Sequence, residues 1–293
     1  MTQYIGIIGY PLKHSLSPDF QQAALDYCRL DIHYQVWETE VENLPSAINR
    51  LRQPENLGAN VTVPYKEAVL PFIDEADDLA SLIGAVNTIV NRDGKLIGFN
   101  TDAQGFLKAL HENAKFRPQN KRVVILGAGG AARAVSFALL REKISSLAIA
   151  NRSLARAEAL VDSLREYAIG KEIRTELTVW SSQDSRLPET VQHCQLIVNC
   201  TTLGTRSSSQ EGQSPLAAEW IPKGALVYDL VYNPSQTPLL TMAREVGANV
   251  LGGFPMLVYQ GAASFKMWTG REAPLDIMHT AAKQALLKTG GQR

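Results

Sequence analysis

The chain has 293 residues, enough for about two domains at a typical ~150 residues each. Hydrophobic residues make up 45% and charged residues 20%, which excludes an intrinsically disordered chain and a small disulfide-rich scaffold. The 29 Lys and Arg residues balance 29 Asp and Glu residues, so no net charge would draw the protein to nucleic acid or to an anionic membrane. We therefore expect a small-molecule partner.

The three cysteines are an odd number, and neither they nor the histidines show the spacing of a zinc site. We expect no structural disulfides and no metal. The N-terminus lacks the pattern of a signal peptide, and no run of about 18 apolar residues occurs. These features predict a cytoplasmic protein without a membrane segment, and they leave the oligomeric state open between monomer and homodimer.

The first third of the chain has its own set of predicted strands. Short β-rich runs predict strands at residues 4–8, 33–37, 59–63, 86–91 and 95–99, the last two joined by an Asp93-Gly94 turn. A helix is predicted at 18–30. Residues 112–121 lose apolar periodicity and gain charge and a proline, so they are interpreted as a connection between domains.

A second unit opens with a strand at 122–126, a glycine turn, a helix at 131–142 and a strand at 147–150. Further strands at 175–180, 196–199, 226–230 and 249–251 give six in total, a pattern typical of a Rossmann fold. Two helices at 256–268 and 274–288 have no further strand to cover, and we expect them to pack back on the first domain. The predicted class is α/β in two domains, residues 1–103 completed by helices in 256–293, and a Rossmann domain of residues 104–255.

The glycine turn carries the clearest chemical signal. Gly127-Ala128-Gly129-Gly130-Ala131-Ala132 fits G-x-G-x-x-A directly between a strand and a helix. The first glycine allows the tight turn, the second lets the backbone approach a pyrophosphate, and the helix N-terminus faces the phosphates. The pattern predicts a dinucleotide site, with an ordinary glycine-rich turn as the alternative.

The end of the next strand indicates which dinucleotide. An NAD enzyme usually places a carboxylate there, but this chain has Asn151, Arg152 and Ser153, followed by Arg156. Two guanidiniums near a helix start, with Ser153 available as a cap, suit a 2′-phosphate. We predict NADP rather than NAD; the alternative is a solvated basic helix start.

Polar side chains at other strand ends suggest a substrate site. Ser15 and Ser17 precede the first helix, with Ser17 predicted as its N-cap and Pro18 as its first residue; simple capping explains them equally well. Lys66 follows a strand, and Asp102 follows the hairpin. A Lys beside an Asp can move a proton, although the residues alone do not show that the two meet.

Several motifs taken together resemble the shikimate dehydrogenase family over nearly the whole chain. They are the loop GYPLKHSLSP at 9–18, NVTVPYKE at 60–67, GAVNT at 84–88, NTD at 100–102, GAGGAARA, NRSLARA, DLVYNP at 229–234 and MLVYQGAASFKMWTG at 256–270. The resemblance implies a reversible NADPH-linked reduction of 3-dehydroshikimate to shikimate, in the pathway to chorismate and the aromatic amino acids. It also implies that residues 1–103 form the substrate-binding catalytic domain and residues 104–255 the NADP-binding domain.

The resemblance assigns roles to single residues. Lys66 and Asp102 would be the catalytic pair, and Ser15 and Ser17 would hold the substrate carboxylate. The substrate's hydroxyls and ring would meet Thr62, Asn87, Asp102, Tyr232 and Gln260. NADP would bind Asp78, Gly127, Ala128, Gly129, Gly130, Ala131, Asn151, Arg152, Ser153, Arg156, Leu230 and Gly253. Thr205 and Pro255 depart from the family's usual pattern along the expected nicotinamide wall, so they bear on cofactor geometry rather than on reaction type.

Three other functions share parts of this pattern. A quinate or quinate/shikimate dehydrogenase would share the fold and the Lys66 and Asp102 pair while accepting one more ring hydroxyl. A folate-linked dehydrogenase has the same architecture, but the HSLSP loop and the NTD motif argue against it. A non-enzymatic NADP-binding sensor has no need of a proton-transfer pair, so Lys66 and Asp102 argue against it as well.

Overall fold

The computed structural model describes residues 2–13, 15–206 and 208–290. It contains two compact units, Met1–Gly105 with Val258–Arg293, and Phe106–Leu257. Both breaks lie two residues beyond the predicted positions.

Each unit contains one six-stranded sheet. The strands of the first unit are β1 (Gln3–Gly9), β2 (Ile32–Glu38), β3 (Asn56–Val61), β4 (Glu75–Ala76), β5 (Thr88–Arg92) and β6 (Lys95–Phe99). Those of the second unit are β7 (Arg122–Leu126), β8 (Ser146–Asn151), β9 (Glu176–Ser181), β10 (Leu196–Asn199), β11 (Leu226–Asp229) and β12 (Asn249–Gly252). Sequence reasoning missed β4, because two residues are too few to show a periodicity.

Ten α-helices connect and cover the strands of the described residues. They are α1 (Ser17–Tyr27), α2 (Leu44–Arg50), α3 (Asp78–Ile83), α4 (Asp102–Glu112), α5 (Gly130–Arg141), α6 (Leu154–Gly170), α7 (Leu187–Gln192), α8 (Pro238–Glu245), α9 (Phe254–Thr269) and α10 (Leu275–Gly290). The break between the units falls inside α4 and again inside α9. The interpretation of residues 112–121 as a connection between domains is therefore wrong: they end α4 and form its loop to β7, within the second unit.

The first sheet has the order β2-β1-β3-β5-β6-β4. Strand β1 pairs parallel to both β2 and β3, whereas β5 is antiparallel to β3 and β6. The β5–β6 turn uses Asp93 and Gly94, both at positive φ, as the predicted two-residue hairpin requires. Helix α10 packs on α1, and the indole N–H of Trp268 in α9 donates to the Ile89 carbonyl at 2.9 Å. The C-terminal helices thus complete the first unit.

The second sheet is parallel throughout, in the order β12-β11-β10-β7-β8-β9. This is the doubly wound order of a Rossmann fold, with the switch point between β7 and β10. Apolar side chains of its strands are buried, as two covering layers require. All six predicted strands are present, and the predicted α/β class is confirmed.

The strand directions decide where functional groups gather. Strands β1, β3 and β6 end at one edge of the first sheet, and the antiparallel β5 begins at that edge. Loops carrying Ser15, Thr62, Asn87 and Asp102 therefore lie along a single sheet edge. In the second unit the glycine turn follows β7 and the Asn151 segment follows β8, at the carboxyl edge where open α/β sheets bind ligands.

The start of α1 differs from the prediction. The helix begins at Ser17, and its N-cap position is Leu16, whose apolar side chain makes no capping hydrogen bond. Ser15 Oγ instead accepts from the Ser17 N–H at 3.4 Å. Pro18 fits the second helical position as well as the first, because N–H groups of the first turn have no intrahelical acceptor. His14, in the same loop, lies outside the described residues.

Across the described ranges of the chain, no helix combines the length and the apolar character needed to cross a membrane. Within the described part of the chain, Cys28, Cys194 and Cys200 are not joined in disulfides. Burial raises the pKa of the Cys194 thiol to about 12, so this group stays protonated.

Candidate active site

Lys66 and Asp102, 36 residues apart in the chain, form an ion pair at the loop edge of the first sheet. Lys66 Nζ lies 2.5 Å from Asp102 Oδ2, and the two side chains are 16% and 5% exposed. A pair so shielded from water interacts more strongly than a surface pair, and it leaves the ammonium partly accessible. This arrangement suits proton transfer to or from a bound ligand.

The loop after β3 is held rigidly enough to fix Lys66. The strand ends at Val61, two residues earlier than predicted, and the Tyr65 N–H turns back to the Thr62 carbonyl at 2.9 Å. The Tyr65 side chain is buried, and its hydroxyl donates to the Thr39 carbonyl at 2.6 Å. The Lys66 carbonyl accepts from the Val86 N–H at 2.7 Å.

Asn100 and Asn87 position Asp102. The Asn100 amide oxygen accepts from the N–H groups of Asp102 at 3.1 Å and Ala103 at 3.4 Å, so it caps the first turn of α4. Asn87 Nδ2 donates to Asp102 Oδ1 at 2.9 Å. One carboxylate oxygen thus faces Asn87 and the other faces Lys66. Sequence reasoning assigned Asn100 no role, although an Asn just before a helix is a capping signal.

Six of the seven predicted substrate residues lie in the first unit, and hydrogen bonds join Asn87 to Asp102 and to Gln260. Asn87 Nδ2 lies 3.3 Å from Gln260 Oε1, which links the loop before β5 to α9. Thr62 follows β3 beside the β1 loop, its N–H donating to the Ile8 carbonyl at 2.9 Å. Ser15 is half-buried and Ser17 is buried in the first turn of α1. Hydroxyl, amide and ammonium groups therefore share one region.

The glycine turn of the second unit fits a ligand at the N-terminus of α5. Gly127 has φ +107°, and a Cβ there would lie 3.2 Å from the Cys200 backbone. Gly129 is the N-cap of α5 with an extended backbone, φ −95° and ψ −173°, and a Cβ there would meet nothing within 4 Å. The fold itself thus needs glycine at 127, whereas at 129 a glycine leaves the space before the helix N-terminus clear. Ala128, Gly130 and Ala131 complete the turn and the start of the helix.

This contrast predicts that alanine at position 127 affects mainly the stability of the fold, whereas alanine at position 129 affects mainly NADPH binding. Gly127→Ala is expected to lower the free energy of unfolding by about 1–2 kcal/mol, because its backbone is in the left-handed region. Gly129→Ala should leave stability within about 0.5 kcal/mol but weaken NADPH binding about tenfold, since the methyl group would block a close approach of the pyrophosphate. Urea unfolding and NADPH fluorescence titration measure the two effects. Unchanged NADPH affinity in Gly129→Ala would contradict a dinucleotide site at this turn.

The segment after β8 presents the predicted cationic groups. Arg152, Ser153 and Arg156 are exposed at the start of α6, and Asn151 Nδ2 donates to the Ser153 carbonyl at 2.8 Å. Ser153 occupies the N-cap position, but its hydroxyl makes no capping hydrogen bond. The hydroxyl is thus not committed to the helix, which differs from the predicted capping role and keeps it available to a ligand.

A buried polar network beside the turn was not found from the sequence. Asp229 accepts hydrogen bonds from Asn199 Nδ2 at 2.9 Å, Val231 N at 3.1 Å and Thr237 Oγ1 at 2.6 Å. Asn199 Oδ1 in turn accepts from the Thr201 hydroxyl at 2.7 Å. The network fixes the loops after β10 and β11 at the carboxyl edge. The sequence does hold a signal for this network, since the neighbouring strands β10 and β11 end in the polar residues Asn199 and Asp229.

Burial raises the pKa of the Asp229 carboxyl, which outweighs the opposing effect of its three donors. A proton is then held more tightly in the folded protein, so this group stabilises the fold at low pH, and the stabilisation is lost as pH rises through the folded pKa. In contrast, hydrogen bonding from Arg186 lowers the pKa of the half-buried Asp184 to about 2. That group stabilises the fold above its unfolded pKa, and the effect is lost as pH falls.

These signs predict opposite pH trends for two asparagine variants. From about pH 4 upward, Asp229→Asn should gain stability relative to the parent protein, because the variant escapes the cost of burying the charge. Asp184→Asn should lose stability relative to the parent as pH rises from about 2 to 4. Urea unfolding of all three proteins from about pH 2 to about pH 8 measures both differences. Parallel curves for parent and Asp229→Asn would contradict the assignment.

The remaining predicted site residues, three for the cofactor and Tyr232 for the substrate, lie in separate elements. Leu230 and the partly exposed Tyr232 follow β11 in the second unit. A Cβ at Gly253 would lie 2.0 Å from the Leu230 carbonyl oxygen, so close packing alone accounts for glycine there. Asp78 is exposed at the start of α3 in the first unit, where the neighbouring Asp77 is the N-cap. The ligand contacts of all four stay predictions.

Comparison with known proteins gives matches along most of the chain. Three family models match: the shikimate dehydrogenase substrate binding domain at residues 7–89, shikimate / quinate 5-dehydrogenase at 109–201, and the shikimate 5′-dehydrogenase C-terminal domain at 253–283. A shikimate dehydrogenase (NADP(+)) of Moorella thermoacetica is 42% identical over 290 residues, covering 99% of this chain and 96% of that relative.

Solved structures also match this chain over nearly its full length. A shikimate dehydrogenase in complex with NADP+ has a TM-score of 0.88 and 38% identity, covering 97% of this chain and 96% of that one. The enzyme of Thermus thermophilus in complex with NADP(H) and shikimate has a TM-score of 0.82 and 37% identity, covering 97% and 99%. A quinate dehydrogenase of Corynebacterium glutamicum in complex with NAD has a TM-score of 0.83 at 29% identity, covering 97% and 99%. Identity of this degree over the full length confirms the predicted resemblance: the chain belongs to the shikimate dehydrogenase family.

Proposed function

We propose that this protein catalyses the reversible NADPH-linked reduction of 3-dehydroshikimate to shikimate. The observation that carries the proposal is the shielded pair of Lys66 and Asp102, set among the hydroxyl and amide groups of one sheet edge. Membership of the family and the curated relatives named as NADP(+) shikimate dehydrogenases support the same reaction and the same cofactor.

The residues of the second unit fit NADP. The turn at Gly127 to Ala131 and the N-terminus of α5 would hold the pyrophosphate, and Arg152, Ser153 and Arg156 would hold the 2′-phosphate. NADPH supplies the hydride when bound, which is the cofactor's own chemistry. What is left to the protein is to place the substrate and to manage one proton.

Lys66 is the group that manages this proton. Reduction of a ketone leaves negative charge on its oxygen, and a nearby ammonium stabilises that charge and then donates a proton. Asp102 holds the ammonium in line through Oδ2, and Asn87 holds Asp102 through Oδ1. In the oxidation direction the uncharged lysine amine accepts the hydroxyl proton.

The polar groups around the pair suit a small polyhydroxylated acid. Ser15 and Ser17, at the start of α1, would bind the carboxylate, and Thr62, Asn87, Asp102, Tyr232 and Gln260 would bind the hydroxyls and ring. A site built to pair hydroxyl groups discriminates sharply against analogues that lack them, because its own buried polar groups would then go unpaired.

The direct test offers purified protein shikimate or quinate, each with NADP or NAD, and follows the absorbance of the reduced nicotinamide. We expect the largest kcat/KM with shikimate and NADP. A preference for quinate and NAD would contradict the proposal and indicate a quinate dehydrogenase. NADP binding without turnover of either substrate would also contradict it, and would indicate a sensor.

A further inference from the structure

A continuous set of buried hydrogen bonds lies behind the Lys66 and Asp102 pair. It runs through Tyr34 on β2, Asn60 on β3, Ser264 on α9, Thr88 on β5 and Asn87. Each of these side chains is at most 8% exposed, and Ser264 and Thr88 are fully buried. No predicted role covers Tyr34, Asn60, Thr88 or Ser264.

Fixed acceptors and donors determine the direction of the first bonds. Asn60 faces the Asn87 carbonyl at 3.2 Å, and since a carbonyl only accepts, the facing atom must be Nδ2. The opposite atom, Oδ1, then accepts from the Tyr34 hydroxyl at 2.8 Å. Burial raises the pKa of Tyr34 well above its usual value, which keeps this hydroxyl a donor. Asn60 Nδ2 also donates to Ser264 Oγ at 3.2 Å.

The Asn87 amide is fixed at the other end. Its Oδ1 lies 2.8 Å from the Thr101 backbone N–H, which only donates, so this atom must be the oxygen. Thr88 Oγ1 donates to the same oxygen at 3.0 Å. The Asn87 nitrogen then faces the Asp102 carboxylate as a donor. A flipped amide would set its oxygen against that carboxylate and lose the bond.

Ser264 joins the two ends. Its hydroxyl accepts from Asn60, so its single hydrogen has three acceptors to choose from: Thr88 Oγ1 at 2.7 Å, the Gln260 carbonyl at 3.1 Å and Thr101 Oγ1 at 3.2 Å. The contact with Thr88 is the shortest, and either hydroxyl can donate across it; the direction from Ser264 to Thr88 is the one that leaves the Thr88 hydrogen for Asn87 Oδ1. Thr88, having accepted this hydrogen, has its own free for Asn87. Each member thus donates to the next, and bonds in such a chain strengthen one another.

We propose that Ser264 and Thr88 are positioning residues: they complete a one-way hydrogen-bond chain from Tyr34 to Asn87 that holds the Asn87 amide as a donor to Asp102. Lys66 is aligned at the far carboxylate oxygen as a result. Through its contacts with Asn60 on β3 and Thr88 on β5, the Ser264 hydroxyl also ties α9 to the first sheet. This inference rests on the proposed dehydrogenase function.

The test compares Ser264→Ala with a matched control, Ser136→Ala. Ser136 is equally buried, but it lies in α5 of the second unit and its hydroxyl has no hydrogen-bond partner among the described residues. In Ser264→Ala, the two hydrogens of Asn60 Nδ2 keep the Asn87 carbonyl at 3.2 Å and Thr88 Oγ1 at 3.4 Å as acceptors. We expect kcat to fall about tenfold in Ser264→Ala, the effect of about one hydrogen bond in the transition state, and to stay within about twofold in Ser136→Ala.

Calorimetric titration with shikimate separates positioning from loss of folded sites. A positioning role lowers kcat while the number of shikimate sites per chain stays that of the parent protein. A fall in kcat only in proportion to lost sites, or a kcat equal to that of Ser136→Ala, would overturn the proposal. Turnover by the parent protein tests the proposed function separately.

Thr88 provides a rescue test. Thr88→Val removes the hydroxyl at nearly constant size and should lower kcat about tenfold, whereas Thr88→Ser keeps the hydroxyl and should recover most of the activity. Equal losses of activity in both variants would indicate a packing effect and contradict the proposal.

A double-mutant cycle of Tyr34→Phe and Thr88→Val, measured by urea unfolding, tests the chain without an activity assay. The two losses in free energy of unfolding should be non-additive, because the first substitution already weakens the bonds that the second removes. Strict additivity would contradict a connected chain.

Discussion

Replacing Lys66 by alanine is expected to lower kcat by about 100-fold or more, with a modest change in the KM for shikimate. The ammonium would stabilise negative charge that develops only as the ketone is reduced, so its loss raises the barrier more than it weakens substrate binding. Steady-state kinetics in both directions measure the effect.

Lys95→Ala is the matched control. Lys95 pairs with Glu75 at the same 2.5 Å separation, but the two side chains are 51% and 55% exposed. Such a pair contributes about 0–1 kcal/mol, so both kcat and stability should stay near those of the parent protein. Since Lys66→Ala leaves the Asp102 charge without its partner, circular dichroism and shikimate binding should confirm a folded first unit. A folded Lys66→Ala protein with near-normal kcat would rule out the proposed role.

The double variant Arg152→Ala with Arg156→Ala is expected to raise the KM for NADPH about 30-fold, corresponding to ~2 kcal/mol, and the KM for NADH less than about twofold. Only NADPH carries the 2′-phosphate that these guanidiniums would bind. Because both arginines are exposed, the difference should shrink as salt is added.

Arg165→Ala serves as the control for this pair. Arg165 is an exposed arginine on the same helix α6, and it pairs with Asp162 at 2.8 Å. Its removal changes the net charge of the helix but should leave both KM values unchanged. Equal increases in the KM for NADPH and NADH in the double variant would reject the assignment of the 2′-phosphate site.

Much of the fold could be predicted because its signals are local. The six strands of the second sheet are short apolar runs, and the glycine turn lies between a strand and a helix. Asp93 and Gly94 define the hairpin through backbone conformations that their residue types tolerate. The boundaries were predicted less accurately: the N-cap of α1 is Leu16 rather than Ser17, and the break between the units lies within a helix rather than in a polar loop.

The candidate site depends instead on tertiary pairing. That Lys66 meets Asp102 follows from the order β3-β5-β6, which no local pattern of the chain contains. The same holds for Asp229, whose partner Asn199 lies 30 residues away, and for Ser264, which reaches Thr88 only because α9 packs on the first sheet. Resemblance to a family identified the first pair, but it assigned no role to Asn100, which caps the helix that carries Asp102.

The most direct test of the account is a crystal structure of this protein with shikimate and NADP bound. We expect Lys66 Nζ to lie within about 3.2 Å of the hydroxyl oxygen that is oxidised, with Asp102 hydrogen-bonded to the same lysine. Finding Lys66 and Asp102 beyond even a water-bridged distance from that oxygen would contradict the proposed mechanism.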